Sequence, residues 1–267
     1  MRFAPVRFER CFTRIVAPLI STAVLGLSSL TAQAGQVLFY QDFENPTGFR
    51  NDGQDVNIYK GVNQLYGSQF AQTHTVETLY LKGTSAFGHG YSDPSGKGGG
   101  YAIGMQHNYE DDWLGMAFSV GSNAYLNVKV DISSIDVSGF GCPCLPVNGL
   151  VPVFRFTLYD NPSGKSGLGD GTILDFKDIT GTASPQAVFD WTEAVLPLSA
   201  QGSTNGNVIL RIDLLSGKYA AFDNLQIAAS DVAGDVGRVP EPGAFSLAAL
   251  GLGMLYRRRW LQGKENG

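Results

Sequence analysis

The chain of 267 residues carries a formal net charge of −5, with 43% hydrophobic, 11% aromatic and only 16% charged residues, and 34 glycines. That composition excludes a collagen-like chain, a coiled coil and a highly charged disordered tail, and leaves one globular domain of ordinary size. Of the 19 bases and 24 acids, eight bases and three acids lie outside residues 35 to 240; the 11 bases and 21 acids that remain give this core a net charge of −10. An acidic core argues against a nucleic-acid partner, because phosphates are neutralised by a basic face.

The chain opens with Arg2, Arg7, Arg10 and Arg14 against Glu9, followed by an apolar run from Ile15 to Leu30 and then Ala32-Gln33-Ala34. This is the three-part layout of a secretory signal peptide, with Ala32 and Ala34 as the small residues a signal peptidase reads and cleavage after Ala34. The alternative is an uncleaved membrane anchor; against it, the run is interrupted by Pro18, Ser21 and Gly26 and falls short of the ~20 residues of a spanning helix. The mature chain then begins at Gly35 and folds outside the cytosol.

Beyond Gly35, apolar and polar residues alternate. Leu114, Met116, Phe118 and Val120 share one face of a run; Leu126, Val128, Val130 and Ile132 do so in the next. Phe154, Phe156 and Leu158 repeat the pattern, as do Val208, Leu210, Ile212 and Leu214. A period of two over such lengths predicts half-buried strands. Further strands are expected over Val37 to Phe43, Val76 to Lys82, Tyr101 to Met105, Ile173 to Phe176, Val188 to Leu196 and Tyr219 to Ile227. Clusters such as Asp93-Pro94-Ser95-Gly96-Lys97-Gly98-Gly99-Gly100 and Asp160-Asn161-Pro162-Ser163-Gly164 separate them as turns. No segment carries a helical stripe, so the strands must pair mainly antiparallel in a two-layer sandwich.

Parity makes one sharper prediction. Phe222 points to one side of a regular strand and Leu225 and Ile227 to the other; keeping all three in the core requires an extra residue at Asp223-Asn224, a bulge. On the first strand Val37, Phe39 and Phe43 share a face, which leaves Asp42 and Glu44 opposite. If the first and last strands are neighbours, Glu44 and Asp223 converge, and a hard cation would relieve their repulsion with carbonyls of Ser95 to Gly99 completing an oxygen shell. The plain alternative is two carboxylates that face water or cap a turn.

Cys142-Pro143-Cys144 is the one cysteine pair left once the leader and Cys11 are removed. Outside the cytosol a strained Cys142–Cys144 disulfide, stapling a loop, is the expected state. Glu110-Asp111-Asp112 before Trp113 is the cluster most suggestive of glycoside hydrolysis, though three adjacent acids more often form a solvated turn. Neither a Gly-x-Ser-x-Gly motif nor a phosphate-binding loop with Lys-Ser/Thr is present. Tyr59, Tyr66, Tyr91, Tyr109, Trp113 and Trp191 fall in or beside turns or on polar strand faces, where flat rings stack on the apolar faces of sugars, with Trp113 and Trp191 as the stacking candidates; the alternative for any of them is partial burial, the commoner fate of Trp.

The chain closes with Val239-Pro240-Glu241-Pro242, an apolar run from Gly243 to Tyr256, and Arg257-Arg258-Arg259. Fourteen residues rise about 21 Å as a helix, less than the ~30 Å hydrocarbon core, so the run suits a temporary stop with its arginines held on the cytoplasmic side. These residues resemble the PEP-CTERM sorting signal of Gram-negative bacteria. The resemblance implies recognition of Pro240, Glu241 and Pro242 by exosortase, transient membrane insertion, removal of the tail, and a place at the cell surface or in the exopolysaccharide matrix. The polar extension Trp260 to Gly267 is longer than that family's usual stub, and a plain C-terminal anchor is the alternative.

A second resemblance spans residues 36 to 229. Phe39 to Glu44, Ser95 to Ile103 and Tyr219 to Ile227 are similar to the terminal strands and middle loop of jelly-roll carbohydrate-binding modules, in which a structural calcium often links terminal strands to a loop. The expected organisation is a signal peptide (1–34), an all-β antiparallel sandwich of jelly-roll type (35–230), a linker (231–238) and a sorting signal (239–267), with the flanking segments helical. The expected function is a non-catalytic glycan-binding or matrix module carrying Ca2+ at Glu44 and Asp223; the alternative is an extracellular glycan-degrading enzyme.

Overall fold

The computed structural model describes residues 34–50, 60–67, 70–73, 75–82, 90–107, 111–138 and 150–239. In chain order these form β1 (Gln36–Gln41), a single helical turn α1 (Val62–Tyr66), β2 (Phe70–Gln72), β3 (Glu77–Tyr80), β4 (Tyr101–Gln106) and β5 (Trp113–Ser119). There follow β6 (Tyr125–Ser134), β7 (Val153–Asp160), β8 (Ile173–Thr180), β9 (Thr192–Ser199), β10 (Asn207–Ser216) and β11 (Tyr219–Ser230). Ala32, the Cys142–Cys144 pair and the sorting residues from Pro240 through Arg257, Arg258 and Arg259 lie outside the described residues.

Two sheets face each other. The first runs β3-β4-β11-β6-β9, with β1 also paired to β11; the second runs β2-β5-β10-β7-β8. Every strand pairing is antiparallel. The chain is thus an all-β antiparallel sandwich, and the inward positions are those the alternation marks. Leu114, Met116, Val128, Val130, Phe154, Phe156, Leu210 and Ile212 are at most 1% exposed and meet in one core between the sheets.

The bulge is where parity requires it. The pairing of β11 with β6 slips between Asp223 and Gln226, and Asn224 takes a left-handed φ of 51°. The slip turns the strand over, so Phe222, Leu225 and Ile227 are all fully buried. β1 does lie against β11, and it stops at Gln41 because Phe43 is itself left-handed, with φ 53°. Phe43 is wholly buried nonetheless, edge-on to Tyr66 at 5.0 Å and to Phe222 at 5.8 Å.

Two expectations move. The strand expected over Val188 to Leu196 begins only at Thr192, because the residues before it cross the outer face of the first sheet. The segment read as a linker is bound to β6: the Asn127 amide donates to the carbonyls of Val232 and Asp235 and accepts from the Gly234 N–H. Among the described residues no helix is long and apolar enough to cross a membrane.

Candidate functional site

The outer face of the first sheet is apolar at one end. Leu79, Leu81, Ala102, Tyr219 and Ala221 project there and form a second buried cluster with Ile135, Val137, Phe189 and Trp191. Trp191 therefore sits elsewhere than a sugar-stacking role demands. It is 9% exposed, and one face of its indole lies flat on Phe189 with ring centroids 5.2 Å apart. A methyl placed on Gly98 would fall 2.5 Å from the indole, so the 93–100 loop closes over it.

That loop is held from both sides. The Asp93 carboxylate accepts from the N–H groups of Ser95, Gly96 and Gly98, and Glu44 accepts from those of Gly100 and Tyr101. Beneath it, Asp223 and Asp131 lie directly opposite each other on β11 and β6. Like charges so placed repel. Lys97 reaches Asp131 at 3.3 Å, and the Asn224 amide donates to Asp131 and to the Lys97 carbonyl. Asp223 Oδ1 accepts from the Asn224 N–H, while Oδ2 is buried with no hydrogen-bond partner.

Burial pushes the Asp223 carboxyl up to about 9; the Asn224 N–H pulls the other way, and Glu44, Asp131 and Asp42 add their charges to the rise. Glu44 is thus near enough to Asp223 to raise it; Glu44 bonds the loop backbone at Gly100, and the amide of Asn224, next to Asp223, reaches the Lys97 carbonyl. An orphaned carboxylate oxygen is what a hard cation would satisfy, and in that respect the residues fit calcium. Both oxygens of Glu44, however, are already engaged by the Gly100 N–H. Among the described residues no group of three or more His, Cys, Asp or Glu is placed to hold a metal.

The outer face of the second sheet is different in kind. Adjacent strands bring Trp113, Asp213, Arg155 and Asp178 into one row, and Gly115, Arg211, Thr157 and Phe176 into the next. The Arg211 guanidinium lies over the Trp113 ring at 4.9 Å and the Tyr159 ring at 5.0 Å, and bonds Asp213 at 3.0 Å. Arg155 grips Asp178 with two parallel bonds of 2.8 and 2.9 Å and covers the Phe176 ring at 4.6 Å. Trp113 is 37% exposed and Phe176 49%.

Charges on this face are matched. Burial raises the Asp213 carboxyl against the pull of Arg211, whereas the Arg155 hydrogen bonds hold Asp178 below the usual carboxylate range. One side is walled by the loop from Asn161 to Thr172. It lies so close that a methyl on Gly115 would fall 2.2 Å from the Gly167 carbonyl oxygen, so only glycine fits there. The Asn161 amide ties the loop through the Lys165 carbonyl.

The acidic run before Trp113 separates into two roles. Asp112 is fully buried and accepts from both Thr73 and Thr75 hydroxyls and from the Gln106 N–H, which makes it a staple between β4 and β5. Asp111 is exposed and pairs with His107 at 2.7 Å. Sequence reasoning missed Arg211, Arg155, Tyr159, Phe176, Asp213 and Asp178. The available signal was that the polar halves of the β7, β8 and β10 alternations hold arginines, aspartates and aromatics together.

No protein-family model matches the chain, and no curated protein matches it. Solved structures do. The chain is similar to the CBM22-1–GH10 modules of Clostridium thermocellum endo-1,4-beta-D-xylanase 10B, complexed with xylohexaose, at 11% identity and TM-score 0.40, covering 73% of this chain and 28% of that one. It is similar to a xylan-binding domain of family CBM 22 at 14% identity and TM-score 0.39, covering 74% and 97%. It is also similar to the K3 adhesin domain of Lys-gingipain from Porphyromonas gingivalis at 12% identity and TM-score 0.37, covering 72% and 98%. The chain thus spans little more than a quarter of the two-module xylanase fragment, and likeness at this level assigns it no ligand and no site.

Proposed function

We propose that this chain is an exported protein, cut by signal peptidase after Ala34 and by exosortase at Pro240-Glu241-Pro242, that reaches the cell surface or the exopolysaccharide matrix. There the outer face of the second sheet binds glycan. Export rests on the two terminal signals. Binding rests on one observation, the exposed Trp113 ring beside a sheet-wide row of arginine–aspartate pairs.

The chemistry follows from the groups present. A sugar ring offers an apolar C–H face and a rim of hydroxyls; Trp113 and Phe176 take the first, and the Arg and Asp heads exchange hydrogen bonds with the second. Each arginine is already neutralised by an aspartate, so the face favours a neutral glycan over a uronic-acid polymer. The proposal rests on the face itself. The test is retention of the exported protein on its host's exopolysaccharide and on an array of neutral and acidic glycans. Trp113→Ala should weaken retention at least tenfold, as loss of a stacked aromatic anchor does. Retention unchanged by that substitution overturns the site; no retention on any glycan leaves a scaffold role.

Calcium at Glu44 and Asp223 is part of the same proposal, supported by the orphaned Asp223 Oδ2. Such a cation would neutralise the carboxylates beneath the 93–100 loop. Chelator should then lower the thermal midpoint and calcium restore it, because a ligand held only by the folded state stabilises by mass action. A midpoint indifferent to both removes the cation.

A further inference from the structure

The two ends of the described domain meet. The Gly35 N–H donates to Asp235 Oδ2 at 2.7 Å, although 200 residues separate them in the chain. The same carboxylate accepts from the Gly237 N–H at 3.0 Å and the Ser230 hydroxyl at 3.1 Å. The turn that carries Asp235 is anchored independently by Asn127 and by the Gln226 amide, which donates to the Val236 carbonyl.

The fit leaves room for nothing larger than glycine. A methyl on Gly35 would lie 2.6 Å from the Asp235 carbonyl oxygen, and one on Gly237 would lie 2.3 Å from the Gly35 carbonyl oxygen. The Asp235 carboxyl sits below the ordinary range, held there first by the Gly237 N–H and also by that of Gly35. It is therefore an anion at neutral pH. Among the charged groups around this corner are Asp231, whose carboxylate accepts from the Ala124 N–H, Arg238, which follows Gly237 in the chain, and Lys129, which stands opposite Gln226 on β6 and pairs with Glu193 at 3.1 Å.

Gly35 is also the residue that leader removal would expose. We propose that the amino group released at Gly35 is a structural ligand of Asp235, so that export processing turns an amide hydrogen bond into an ion pair joining the two ends of the sandwich. The step is a hydrolysis: water adds its oxygen to the Ala34 carbonyl carbon, the Ala34–Gly35 bond breaks, both protons of the water pass to the Gly35 nitrogen, and the products are an Ala34 carboxylate on the departing leader and a Gly35 ammonium beside Asp235. A charge-assisted bond replaces a neutral donor on an ionised acceptor. The clamp also fixes the base of the segment that leads to Pro240.

This inference rests on cleavage after Ala34, and the experiment separates the two. The full chain is exported from a bacterial host and the secreted protein is sequenced from its N-terminus. Its α-amine is then titrated with limiting acetic anhydride at pH 7, alongside Asp235→Asn. An ammonium held by a carboxylate gives up its proton less readily, and only the free amine reacts. The α-amine should acetylate about three- to tenfold faster in Asp235→Asn. A chain with one serine inserted before Gly35 moves the amine away from Asp235 and should react at the faster rate, which keeps the test open if Asp235→Asn does not fold. Cleavage after Ala34 in all three chains with equal acetylation rates overturns the clamp and leaves the leader reading intact. A terminus elsewhere overturns both.

Discussion

The sandwich has two outer faces, and each carries a tryptophan. On the first sheet Trp191 lies under the 93–100 loop against Phe189; on the second, Trp113 lies open beside Arg211. Strand positions alone do not separate these outcomes. What decides is the company in the sheet: Leu79, Ala102 and Ala221 make the first face apolar, so it draws loops over itself. Arg155, Arg211, Asp178 and Asp213 make the second face polar, and a polar face stays wet unless something hydrogen-bonds to it. A covered face serves stability, and an uncovered face with paired charges and flat rings is available for recognition.

The largest expected effect breaks the covered face. Trp191→Ala should cost about 3–5 kcal/mol, the range for emptying a buried aromatic site. Trp191→Phe should cost far less, because it keeps a ring against Phe189 and removes an indole N–H that has no hydrogen-bond partner. Trp113→Ala should change stability by less than about 1 kcal/mol, since its ring is exposed. Urea unfolding of the three variants gives the comparison, and equal losses at the two tryptophans would erase the distinction between the faces.

The second effect belongs to Asp223, beneath the loop that covers the first face. Its folded-state value of about 9 lies above the ordinary 3.8, so between these pH values the folded chain holds a proton that the unfolded chain has lost. The sign follows: this group's contribution is complete below about pH 4 and falls as pH rises toward 9. In chelator the thermal midpoint should drop from pH 5 to pH 8, by an amount of order 2 kcal/mol in stability, less than the limiting ~1.4 kcal/mol per pH unit. Asp223→Asn should flatten that slope. A midpoint that rises with pH would place an ionised Asp223 under the loop.

How much of this contrast the sequence carries depends on the distance over which each feature is decided. Alternation is local, so the strands around Leu114, Val128, Phe156 and Leu210 were legible, and so was the bulge at Asp223-Asn224, which follows from the parity of one strand. Which outward residues are covered is decided by loops from elsewhere in the chain, so Trp191 and Trp113 looked alike. The Gly35–Asp235 contact spans the whole domain, and no pattern within either segment announces it. The turn α1 and the short β2 were missed because five and three residues are too few to establish a period.

Gly115→Ala tests how the open face is bounded. A methyl there meets the Gly167 carbonyl oxygen, so the 161–172 loop must shift; overpacking of this kind costs about 1–3 kcal/mol. The informative readout is binding. If the loop forms one wall of a glycan site, Gly115→Ala should weaken retention more than its loss of stability explains at a temperature where the protein remains folded. Retention that follows stability alone would leave the loop a cover over Ile209 and Tyr159 and no more.

The smallest effect sharpens the comparison most. Arg155 and Asp178 are each about 37% exposed, so despite its two-bond geometry the pair should couple by under about 1 kcal/mol in a double-mutant cycle on stability. Because Asp178 is held below the usual carboxylate range, its contribution is present at neutral pH and is lost only as pH falls through the lowered value. The same cycle read on glycan retention should give a larger coupling, since the pair then holds two hydrogen-bonding heads at fixed spacing against sugar hydroxyls. Arg155→Lys separates the cases: it keeps the charge but loses the planar fork, so it should preserve stability and weaken retention. Equal and small couplings in both measurements would make the row of charges an ordinary solvated surface, and the two tryptophans would then differ in burial alone.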